Sequence, residues 1–198
     1  MNKARNSVVI TSINDSTISK EFNKANGLLS LDVSGLENAS PHYGIISRSG
    51  TLVIIDKEGW LKEQSDNNIL PDVNIDVYLN GALLYSFASN NDITYTKQDK
   101  RVTINLSDEI VLLQNISTNA DVVFLNTDGL TVVSQTMSSL GLKVVIDSKT
   151  RDSLSKIIIQ ELAIKKDTYW NIIQQLTYGC RSIFYKLGNN YYIKQMEE

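Results

Sequence analysis

The chain carries one histidine, His42, and one cysteine, Cys180. A Ser-His-Asp triad or a Cys-His pair has to use them, because imidazole is the base that activates a hydroxyl or thiol near neutral pH. His42 stands in "ASPHYG" beside Pro41, where a turn residue is the plainer reading. Cys180 follows a helix stop and precedes a strand, a place where a free thiol usually packs as a small apolar group. One histidine and one cysteine are also too few for a zinc centre. Asp72 and Asp76 in "DVNID" point the same way if the segment is a strand, and a carboxylate pair is what glycoside hydrolysis uses. With 22 acidic residues such pairs arise by chance, and acids on a strand face are ordinarily solvated. "NTDG" and "SDNN" hold fragments of a calcium loop without its closing glutamate. The glycines lack the spacing of a phosphate cradle. No catalytic residue, metal or cofactor is expected.

Composition narrows the class further. The 198 residues suffice for one large domain or two small ones. The hydrophobic share of 42 % and charged share of 21 % are those of a globular protein. The formal net charge is −3, and no run of lysine and arginine offers the basic face that duplex DNA requires. A single cysteine excludes an intrachain disulfide and fits a reducing compartment. "MNKARNSVVITSIND" lacks the sustained apolar core of a signal peptide, and no stretch is long enough for a membrane span. Synthesis in the cytoplasm and no insertion into a membrane are the expectations.

The elements follow from hydrophobic period. "SVVITSI" and "TLVIID" are β-branched strand runs, with another strand expected at Leu28 to Val33. "EGWLKEQSDNN" suits a short helix or an irregular loop. "VNIDVYL" alternates: Val73, Ile75, Val77 and Leu79 share one face, Asn74, Asp76 and Tyr78 the other. Asn80-Gly81 then predicts a type I′ hairpin, and "ALLYSF" returns. "DITYT" and "RVTINL" make the next pair, with Thr94, Thr96, Thr103 and Asn105 on the polar side. The result is an antiparallel meander with one dry and one wet face. "SDEIVLLQNI" follows as a short helix capped by Ser107 or Asp108.

Beyond a boundary near Asn115 to Asn119 the pattern changes. A helix capped by Asp128 buries Leu130, Val133, Met137 and Leu140 and ends at Gly141. "LKVVID" is a strand, and "LSKIIIQELAI" fits either strand or helix. A helix capped by Asp167 or Thr168 runs to Gly179 with Tyr169, Ile172, Ile173 and Leu176 on one face. A hairpin turning at Gly188-Asn189-Asn190 closes the chain. The expected class is α+β and β-rich: an antiparallel, barrel-like domain over residues 1–117 and a smaller α+β domain over 118–198.

The order of these motifs resembles the first part of the tail hub, or baseplate hub, proteins of long-tailed bacteriophages and prophages. In that pattern a strand ends in an acid and a "DG" or "EG" turn, here Ile55-Asp56 to Gly59. A "V-x-V-x-L-N" hairpin follows, here Ile75 to Gly81, and then a strand pair leads to a short helix near "QNI", here Ser107 to Ile116. "DTYWNIIQQLTYGCRSIFYKLGNNYYI" fits the helix that precedes a hairpin in such hubs. The resemblance covers about two thirds of the chain, and these hubs are commonly longer. It implies a virion tail protein that is not an enzyme. Its subunits would form a ring, a trimer first and a hexamer as the alternative, that caps or extends the tail tube. The ring would dock other tail and baseplate proteins, and DNA would only pass through its channel.

Two further expectations concern surfaces. Asn74, Asp76, Tyr78, Thr94, Thr96, Thr103 and Asn105, taken as the exposed edge of the meander, are the expected oligomer interface. The alternative function is a carbohydrate- or receptor-binding module, in which Tyr185, Tyr191, Tyr192 and an exposed Trp60 would stack on sugar.

Overall fold

A computed structural model describes residues 6–13, 15–37, 43–66, 73–96, 99–188 and 190–196. His42, Asp72 and Asn189, together with parts of the "SDNN" and "KQDK" segments, lie outside the described residues. The chain gathers into two compact units. The first unit comprises Met1–Gly35 and Arg48–Glu109, and the second Leu36–Ser47 and Ile110–Glu198.

The strands up to Ser107 are β1 (Asn6–Ser12), β2 (Ser19–Asn23), β3 (Leu28–Glu37), β4 (Gly44–Ile55), β5 (Val73–Leu79), β6 (Ala82–Thr96) and β7 (Arg101–Ser107), with helix α1 (Trp60–Asp66) after β4; all belong to the first unit except the end of β3 after Gly35 and the start of β4 before Arg48, which belong to the second. They lie in the order β2-β1-β5-β6-β7-β4, and β3 also pairs with β4. Alternation builds the core. Val8 and Ile10 of β1, Ile75 and Val77 of β5, Val102, Ile104 and Leu106 of β7, and Leu52 and Ile54 of β4 turn inward, joined by Phe22 and Phe87. Each fully buried side chain of this size is worth about 1.5–3 kcal/mol of transfer free energy. Asn80 and Gly81 both have positive φ, 51° and 80°, as the type I′ turn between β5 and β6 demands.

Several elements differ from the sequence expectation. "ALLYSF" and "DITYT" belong to one strand, β6, which pairs with β5 through its first part and with β7 through its last. The register shifts between Ser89 and Ile93, so "SNND" is absorbed as an irregularity and not as a turn. A strand not expected from the sequence, β2, precedes β3. The barrel-like form does not close: among the described residues β2 and β3 follow one another across the Asn23–Gly27 turn without a ladder between them. β3 instead lies hard against β4. A Cβ built on Gly50 would stand 2.3 Å from the carbonyl oxygen of Asp32. Asp56, buried at the end of β4, accepts a hydrogen bond from the Lys62 N–H at 3.0 Å and so ties α1 to the sheet.

The second unit contains β8 (Val122–Asp128), α2 (Gly129–Ser139), β9 (Val144–Ile146), α3 (Ser148–Lys156), β10 (Ile158–Ile164), α4 (Tyr169–Gly179), β11 (Ser182–Leu187) and β12 (Asn190–Gln195). Residues Glu109–Gln114 form the expected short helix, of 3-10 type. β12 lies between β11 and β9, and β11 pairs in parallel with residues Gly44–Ile46 of β4. β8 and β10 form a separate two-stranded antiparallel sheet. The apolar "LSKIIIQELAI" therefore divides into the end of α3 and all of β10. β8 itself was not expected.

α2 and α4 start at the caps expected from the sequence, whereas α3 was not expected. Asp128 caps α2 and Asp147 caps α3 with the same geometry: each carboxylate accepts from a threonine N–H three residues on at 2.9 Å and from that threonine's hydroxyl at 2.7 Å. Thr168 caps α4. Val132, Val133 and Met137 of α2, Leu154 of α3, and Trp170, Ile172, Ile173 and Leu176 of α4 meet Phe124, Phe184 and Ile193 in one core. The expected Leu130 and Leu140 sit only at its margin, because Val132 occupies the centre of the buried face of α2.

These features make two predictions. Asp128→Ala and Asp147→Ala should each lower stability by about 1 kcal/mol, the usual loss of a cap. Hydrogen bonds from Thr131 and Thr150 hold both carboxyls below the ordinary aspartate value of 3.8. A depressed folded pKa contributes stability above the unfolded value, and that stability is lost as pH falls through the folded one. In thermal melts the gap between either variant and wild type should therefore be full well above pH 3.8 and shrink as pH falls below it. Gly50→Ala should destabilise the first unit by about 1–3 kcal/mol, because a methyl group there meets backbone and not a movable side chain.

Candidate interaction surface

The expected interface residues share one side of the first unit's sheet, opposite its core. Asn74, Asp76 and Tyr78 alternate with buried Val73, Ile75 and Val77, and Thr103 and Asn105 alternate with buried Val102, Ile104 and Leu106. They do not form one cluster. Ala88 stands in register with both Asn74 and Ser107, which fixes a common row across β5, β6 and β7. From that row Asp76 and Tyr78 run one way, and Asn105 and Thr103, with Thr94 and Thr96 of β6, run the other. The structure thus makes two polar patches from the residues taken together in the sequence.

Nor do most of them lie on an edge. β5 is laddered to β1 and β6, and β7 to β6 and β4. Only the Thr94–Thr96 stretch of β6 is paired on a single side among the described residues, to β7. Within the first patch the Ser86 hydroxyl donates to the Asp76 carboxylate at 2.6 Å. Tyr78 opens onto a cleft of about 640 Å³ whose lining includes Leu29, Leu79, Leu84 and Tyr85. In the second, Thr94 faces Thr103 across the ladder. Asn105 lines a smaller cleft of about 310 Å³ with Asp32, Ser34 and Thr51.

The residues weighed for chemistry are placed as follows. Cys180 is fully buried, and its thiol donates towards the Gly129 carbonyl at 3.6 Å. Burial, and then the charge of Asp128, push the thiol up to about 11, so it stays protonated at neutral pH. Asp128 of "NTDG" is engaged as the α2 cap. His42 and Asp72 fall outside the described residues. Among the described residues, no three histidine, cysteine or acidic side chains converge as metal ligands, and no helix is long and apolar enough to cross a membrane.

The aromatic side chains proposed for sugar stacking are engaged with one another. Tyr185 and Tyr192 stack with ring centroids 5.3 Å apart, and Tyr191 stacks on Phe184 at 5.6 Å. Trp60 is half-buried, edge-on to Phe22 against the first unit's core. Each stacking contact covers one face of the rings that make it.

The surface missed in the sequence is the β8–β10 sheet. Phe124, Ile159 and Ile164 join the second unit's core, while Val123 and Leu125 turn out to solvent. The unbroken apolar run Val122-Val123-Phe124-Leu125 was the available signal. A strand with apolar side chains on both faces loses the period-two pattern that marks a half-buried one.

Comparison with known proteins places the fold. No protein-family model matches the sequence, and no curated protein matches it. Solved structures do match. A tail protein from Neisseria meningitidis MC58 superposes with a TM-score of 0.60 at 10 % identity, covering 96 % of this chain and 50 % of that one. A prophage tail protein from Listeria monocytogenes EGD-e gives 0.60 at 9 % identity, again covering 96 % of this chain and 50 % of the other. The tail protein of prophage MuSo2 from Shewanella oneidensis gives 0.55 at 11 % identity, over 98 % of this chain and 57 % of that one. The chain thus spans about half the length of the solved tail proteins it matches. At these identities the likeness is one of fold: the β-rich α+β architecture of this chain is similar to that of phage and prophage tail proteins.

Proposed function

We propose that the protein is a structural component of a phage or prophage tail, a subunit of a hub ring at the end of the tail tube. The observation that carries this reading is the similarity of fold to solved tail proteins over nearly the whole chain. The order of sequence motifs, read independently, leads to the same family. In this reading copies assemble into a closed ring, trimeric or hexameric, that caps or extends the tube and docks neighbouring tail and baseplate proteins. DNA passes through its channel without being gripped, which suits a net charge of −3. The protein works in the virion tail after synthesis in the bacterial host cytoplasm.

The role is mechanical and not catalytic. The thiol is buried and protonated, and Asp76 is held by Ser86 on a sheet face. Neither is presented as a nucleophile or acid in a water-excluding cleft of the kind catalysis uses.

Native mass measured over a concentration series tests the proposal. A closed trimer or hexamer, stable on dilution, is the expected result. A strict monomer at the highest concentration contradicts a self-assembling hub.

A further inference from the structure

We draw no further inference here: the strongest candidate, the cleft of about 440 Å³ at the start of α3 that Lys149, Arg181 and Lys194 line together with Asp147, is a helix N-terminus beside exposed basic side chains, and no second observation points to a ligand there.

Discussion

A strand inside a sheet directs its N–H and C=O groups to two neighbours, whereas an edge strand leaves one row for water or another chain. That constraint orders this protein. β5 and β7 are satisfied on both sides, so the polar residues between their buried neighbours form a face and cannot extend the ladder. Among the described residues β8 and β10 pair only with each other, and Val123 and Leu125 of β8 turn out to solvent opposite Ala163 and Glu161 of β10.

The two cores are what hold such an edge in place. In the first unit, alternation along β1, β4, β5 and β7 fixes the register, because a slip by one residue would turn Ile75 and Ile104 to water and Asp76 and Thr103 inward. In the second, α2, α3 and α4 cover the inner face of β8 and β10 through Phe124, Ile159 and Ile164. The equivalent caps at Asp128 and Asp147 set where α2 and α3 begin. Cys180, packed beside Gly129, belongs to this framework: a Cβ on Gly129 would stand 3.3 Å from its sulfur. The thiol is thereby a packing group, with its chemistry suppressed by the same burial that makes it useful.

Much of this was legible in the sequence where local rules act alone. Asn80-Gly81 names its turn because both residues must take positive φ, and Tyr169 to Gly179 names its helix by spacing and cap. The expected interface residues were correctly read as the polar side of their strands, since period two decides that. What tertiary pairing decides was not legible. β6 carries the turn-like "SNND" through a register shift because β5 and β7 hold its two ends. β2 reads as loop, and its strand geometry comes from pairing with β1. β8 hides because it is apolar on both faces, one for its own core and one turned outward. Which strands end up at an edge is a property of the whole ladder, so the expected edge at the meander could not be checked from residues alone.

The reading proposed for this chain is that copies of it assemble in a phage tail. Amide hydrogen exchange, followed residue by residue as protein concentration rises, tests it directly. The account predicts that a set of surface amides becomes protected as concentration increases, while those of β5, paired on both sides already, do not change. Exchange that is identical at every concentration would contradict it.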